Sequence, residues 1–135
     1  MIVIPPIAAT ADLDFFLESV QVVYHLYTND YTPDADTTLE SFVEANWPGY
    51  TLLLARGWTP ALWQTDYAIA SADPLVWTLA APISPTLVWG YYVTDWTSGS
   101  LLWCERVLTV PIPVVRIGDT VTLLPEIRFC QGCLS

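Results

Sequence analysis

The residues able to do chemistry are few, and their spacing suits little of it. His25 is the only histidine in the chain. A metal-dependent cupin gathers several imidazoles around its ion, so one histidine inside a strand-like run reads as a packed or surface strand residue. Cys130-Gln131-Gly132-Cys133 has CxxC spacing. A structural zinc wants four ligands, and only Cys104 and His25 remain to supply the others. A thioredoxin-like dithiol needs a βαβ setting, which is missing. The plainer reading of that motif is a loose C-terminal tail, and the role of Cys130 and Cys133 stays open. Asn29, Asp30, Asp34 and Asp36 could gather oxygen ligands for calcium, but they lack the spacing and closing Glu of an EF-hand loop, and helix capping already accounts for acids there. Calcium also stays open.

Hydrolase chemistry fares no better. The hydroxyl residues have one possible imidazole partner and no nucleophile-elbow motif. A carboxylate pair for glycoside hydrolysis is a spatial feature, and most acids here fall in loops or first helical turns. The expectation is therefore a protein without catalytic residues, metal or cofactor. Tryptophan offers a different chemistry, since Trp47, Trp58, Trp63 or Trp96 could stack on a sugar ring if exposed. Trp96, at the tip of a hairpin, is the best candidate glycan contact. Trp is as often a core or interface residue.

That hairpin spans residues 87–107, LVWGYYVTDWTSGSLLWCERV. Two runs of β-branched and aromatic residues flank the polar turn Asp95-Trp96-Thr97-Ser98-Gly99, the pattern of paired antiparallel strands. Symmetric closure would set Val93 opposite Leu101 and Tyr91 opposite Trp103 on one side, with Tyr92 opposite Leu102 and Gly90 opposite Cys104 on the other. Both faces then carry large apolar groups, which implies that both are covered, one by a second sheet and the other by something further, such as another subunit. Trp89, Tyr91, Tyr92, Leu102 and Trp103 are the resulting interface candidates.

The rest of the chain is read around this hairpin. Residues 1–9 form an apolar, proline-containing arm. Leu13, Phe16, Leu17 and Val20 fall at helical spacing behind Thr10, with acids in the first turn. Residues 21–28 read as a strand apolar on both faces. Thr37-x-x-Glu40 is a capping box opening a second short helix, which Asn46-Trp47-Pro48-Gly49 stops. Further strands are expected at 50–55, 63–70, 75–80 and 120–129, with Pro125 marking an edge or bulge. The count is seven or eight, and residues 1–135 read as one mainly β domain: an antiparallel sandwich, jelly-roll-like, with one or two short N-terminal helices and a tail at 130–135.

Composition narrows the partners. The net charge is −10 and the four cations, all Arg, are scattered, so neither nucleic acid nor a polybasic membrane contact is expected. Pro, Asp and Gly interrupt every apolar run before transmembrane length, and the N-terminus lacks the basic region of a signal peptide. Three cysteines make an odd count that suits a reducing cytoplasm. With 53% hydrophobic residues and no lysine, the chain has too little charge to cover a monomer's surface comfortably, and burial against partners is expected.

LYTNDYTPDADTTLESFVEANWPGY, then the hairpin, then GDTVTLLPEIRF resembles, in order, a group of small proteins encoded among the virion structural genes of tailed bacteriophages. The likeness covers residues 24–129. This chain departs from that pattern at Trp89-Gly90-Tyr91 and in its cysteine tail. The resemblance implies a non-enzymatic particle subunit, such as a head decoration, head-fibre or tail-associated protein, made in the host cytoplasm and residing in the virion. It would act by assembling with its own copies and with capsid or tail proteins. A carbohydrate- or host-surface-binding β module is the alternative.

Overall fold

A computed structural model describes residues 6–64, 67–107 and 110–130. Residues 1–5 of the expected arm and 131–135 of the expected tail, Cys133 included, lie outside the described residues. The protein is mainly β. Among the described residues it has one α-helix, α1 (Pro6–Ser19), and the strands β1 (Val22–Tyr27), β2 (Leu53–Leu54), β3 (Leu62–Trp63), β4 (Tyr67–Ser71), β5 (Leu75–Thr78), β6 (Thr86–Val88), β7 (Gly90–Asp95), β8 (Leu101–Arg106), β9 (Ile112–Val114), β10 (Thr120–Leu123) and β11 (Glu126–Cys130). Every strand pair among the described residues is antiparallel. The chain divides into two compact units, each discontinuous in sequence.

The first unit takes Met1–Gln21, Ala55–Pro74 and Leu124–Ser135. Here α1 lies on a sheet of order β11-β4-β3. The helix begins at Pro6, not behind Thr10, and proline suits a first turn whose N–H groups have no intrahelical acceptor. The expected apolar stripe does face inward. Leu13 is fully buried against Ala68 and Ala70, whose small side chains let the helix lie close, while Phe15 on the outer side is 71% exposed. The Phe16 and Phe129 rings meet at 5.8 Å, and the Asp14 carboxylate accepts the Ala61 N–H at 2.8 Å.

Two expected strands turn out to be interrupted. The run 63–70 is a hairpin, with β3 folding back on β4 (Leu62 opposite Ile69) and Gln64 N–H donating to the Tyr67 carbonyl. The run 120–129 breaks at Pro125, which has no N–H for a ladder. β10 pairs with β5 and β11 with β4, so the two halves belong to different units.

The second unit takes Val22–Leu54 and Leu75–Leu123. It holds a four-stranded sheet of order β2-β1-β7-β8 and two ribbons, β5 with β10 and β6 with β9. All six residues of β1 are buried, so the expectation of a strand covered on both faces holds. Val22, Tyr24, Leu26, Tyr91 and Val93 share one face. Val23, His25, Tyr27, Tyr92 and Thr94 share the other. Burying each large apolar side chain in such a strand stabilises the fold by about 1.5–3 kcal/mol.

The hairpin departs from symmetric closure. Tyr92 lies opposite Cys104, Tyr91 opposite Glu105 and Val93 opposite Trp103, while Thr94 lies opposite Leu101. One extra residue, Leu102, bulges from β8, and this corrects the four pairings expected from symmetry. The cause is the turn. Gly99 at φ +73° closes it with its N–H on the Asp95 carbonyl at 2.7 Å, and Asp95 N–H donates to Ser100. Gly90 is required because the Tyr27 ring lies over it, and a Cβ there would overlap that ring and the Glu105 carbonyl.

The second expected helix is only a 3-10 turn over Leu39–Ser41. Its box uses Thr38 and Ser41, whose hydroxyl accepts the Thr38 N–H, in place of Thr37 and Glu40. Beyond it the backbone is drawn alongside β1, where Thr28 N–H donates to the Val43 carbonyl and Ala45 N–H to the Leu26 carbonyl. Pairing with a buried strand outweighs the continuation of a short, exposed helix.

Candidate functional site

Because His25 pairs with Tyr92 and Val23 with Thr94, β1 and β7 bring the His25, Tyr92 and Thr94 side chains to one face. The bridge between Tyr27 and Glu44 sets a carboxylate over the same face. His25 Nδ1 lies 2.7 Å from Glu44 Oε2, and His25 Nε2 lies 2.8 Å from Thr94 Oγ1. A carboxylate oxygen only accepts, so Nδ1 carries the proton, and in the neutral ring Nε2 then accepts from the Thr94 hydroxyl. Tyr50 completes the network: its hydroxyl donates to the same Glu44 oxygen at 2.7 Å and accepts the Leu26 N–H at 3.1 Å. A type II-like turn, Trp47-Pro48-Gly49-Tyr50, aims Tyr50, with Gly49 at φ +94° and Tyr50 N–H on the Trp47 carbonyl at 2.9 Å.

Rings hold the imidazole from the side. Tyr92 stacks on His25 at 4.6 Å and 4°, and Phe42 stacks on Tyr92 at 4.6 Å and 8°. Burial, followed by the hydrogen bond to Glu44, pushes the Tyr50 phenol far above its ordinary range, so it remains a donor. Burial does the same to Tyr92, and the charge on Glu44 adds to it. A hydroxyl, imidazole and carboxylate in sequence form the order that activates nucleophiles in hydrolases. Here, however, Thr94 sits inside a strand ladder and is 7% exposed, whereas a nucleophile of that kind stands on a sharp, accessible turn.

A cleft of about 400 Å³ opens onto this network. Val23, Leu39 and Leu52 form apolar walls, His25 and Thr94 are recessed, and Asp95 and Trp96 lie toward the hairpin turn. Trp96 is 54% exposed. The other sugar-stacking candidates are spent on packing: Trp47 is buried, and Trp58 and Trp63 lie half-buried against the Leu13 cluster. Trp58 also lines a smaller hollow of about 260 Å³ with Asp14 and Glu18.

The five interface candidates divide by burial. Tyr91 and Tyr92 are buried within the chain, while Trp89, Leu102 and Trp103 are half-buried. The Arg106 guanidinium lies 4.5 Å over the Trp89 ring and 2.6 Å from Asp30. Trp103 meets Tyr24 edge-on at 6.2 Å. β8 is the last strand of its sheet, so among the described residues its outer edge has no strand partner.

The acidic loop spends its groups locally. Asn29 bonds Ser41 and Val43, Asp30 pairs with Arg106, and Asp34 accepts the Asp36 N–H. Among the described residues no three metal-ligating side chains converge. Cys104 is a free thiol in the Tyr27, Phe42 and Tyr92 cluster, and burial raises its pKa. Cys130 ends β11, and its CxxC partner lies outside the described residues.

Glu44, Thr94, Tyr50 and Phe42 were not legible as site residues. They are distant in sequence and carry no shared spacing. The alternation of β1 and β7 would have found the pair His25 and Tyr92, given the register. No protein-family profile matches this chain, and no curated protein or solved structure shows significant similarity to it.

Proposed function

We propose that this chain is a non-enzymatic virion structural subunit of a tailed phage, a head decoration, head-fibre or tail-associated protein, acting by assembly with its own copies and with capsid or tail proteins. The observation that carries the reading is the outer edge of β8. It has no strand partner among the described residues, and its residues Leu101 to Cys104 are only half-buried. An edge strand with an apolar run at Leu101–Cys104 and no Lys or Pro is a template for strand pairing between chains. The exposure of Leu62, Val76, Val110, Ile117 and Leu124 on a chain without lysine supports the same reading. The resemblance to virion proteins over residues 24–129 supplies the setting. Under this reading the fold is a jelly-roll-like antiparallel sandwich, supported by the burial of β1 on both faces.

Native mass spectrometry at micromolar concentration tests the proposal. The wild type is expected as an oligomer. Leu102→Lys, which places a charge at the bulge of the open edge, is expected to release folded monomer. A wild-type monomer sinks the assembly reading, and an oligomer untouched by Leu102→Lys removes β8 as the interface.

A further inference from the structure

The cleft beside the hairpin tip has a chemistry that assembly leaves unused. In the neutral imidazole the Glu44 carboxylate holds the proton on Nδ1, and Thr94 then gives its hydroxyl proton to His25 Nε2. The Thr94 oxygen therefore keeps lone-pair capacity, and it offers acceptance, not donation. Asp95 lines the cleft at the start of the turn, where one oxygen of its carboxylate accepts the Thr97 N–H at 2.8 Å. The polar groups of the cleft thus favour a ligand rich in hydroxyl donors. No Arg lines it and the chain has no Lys, so nothing there compensates an anion. Trp96 supplies an exposed ring, and the leucine and valine walls favour a ligand that also has an apolar face. A ring carrying hydroxyls at its edge and C–H groups on its face meets both demands.

We propose that this cleft binds a neutral pyranose residue of a glycan, stacked on Trp96, with a hydroxyl donating to Thr94. The network behind the cleft holds that acceptor in place before binding, because stacking on Tyr92 and bonds to Glu44 and Thr94 already fix His25. This reading goes beyond assembly and stands whether the chain is an oligomer or a monomer.

A glycan array carrying neutral and sialylated glycans tests it, probed with the wild-type chain, Trp96→Ala and Trp96→Phe. Trp96 is exposed at the turn, so both variants are expected to keep the wild-type circular dichroism and melting temperature. Binding to neutral glycans is expected, falling about tenfold or more in Trp96→Ala and largely retained in Trp96→Phe, which keeps a stacking ring. Absence of binding to every neutral glycan, preference for sialylated ones, or equal binding by Trp96→Ala would each overturn the proposal.

Discussion

His25 owes its orientation to residues far away in the chain. Glu44 takes the Nδ1 proton, Thr94 donates to Nε2, and Tyr92 covers the ring. Removing the carboxylate leaves two donors, the imidazole N–H and the Tyr50 hydroxyl, without their acceptor. Glu44→Ala is therefore expected to lower stability by about 0.5–1.5 kcal/mol, read from the urea midpoint, because the carboxylate is 38% exposed and water replaces part of what it accepts. The same variant should free the imidazole to change tautomer, visible in the nitrogen shifts of His25. An unchanged midpoint and unchanged shifts would show that the network positions nothing. Sequence alone singled out His25 and Trp96, one for being the only histidine and one for its turn. It was silent on Glu44 and Thr94, since hydrogen-bond partners across a sheet are set by register and carry no local mark.

Among the elements, the turns decided more than the strands. Asn46 to Gly49 reads as a helix stop, yet Trp47 to Tyr50 is a turn that aims Tyr50 at Glu44. A side chain at Gly49 would sit 2.6 Å from the Thr78 carbonyl, in a backbone conformation that only glycine adopts freely. Gly49→Ala is expected to cost about 1–3 kcal/mol, from strain and overlap together. Gly99→Ala carries the positive φ but meets open space, so its cost should be the smaller in a paired thermal melt. Equal costs would mean that the close approach at Gly49 is relieved by small shifts. Strand existence was legible from β-branched and aromatic runs. Interruptions at Gln64 and Trp89 were read through, although the polar run Gln64-Thr65-Asp66 marks the first and Gly90 follows the second. Pro125 was legible as a disturbance, but its missing N–H does not say that the strands on either side pair with different partners.

At the scale of the whole molecule, the tyrosines link fold to pH. Burial pushes Tyr24, Tyr50, Tyr91 and Tyr92 well above their ordinary range and Tyr27 to about 12. Their raised values favour the protonated phenol in the folded chain. The associated stability is fully present below about pH 10, where unfolded tyrosine is also neutral, and is lost as pH climbs through the folded values. Tyrosinate absorbance is expected to lag a free-tyrosine control and then rise together with the loss of near-ultraviolet circular dichroism. A gradual rise with the fold intact would refute it. Asp119 acts at the opposite end. The N–H groups of Arg116 and Val115 hold its carboxyl below the usual range, so its small contribution is present above the ordinary carboxylate pKa and fades as pH falls through the lowered one.

Composition and periodicity were enough to establish a mainly β chain, a helix with Leu13 turned inward, a strand at 22–27 buried on both faces and a hairpin tipped by Trp96. Those follow from local rules, since side-chain alternation, turn residues and helical spacing act over a few positions. The bulge at Leu102, the division of 120–129 between two units, and the meeting of Thr94, His25, Glu44 and Tyr50 were settled by the fold. Each depends on which strand lies beside which and in what register. That choice is made by burial summed over distant segments, and no single stretch of sequence records the sum.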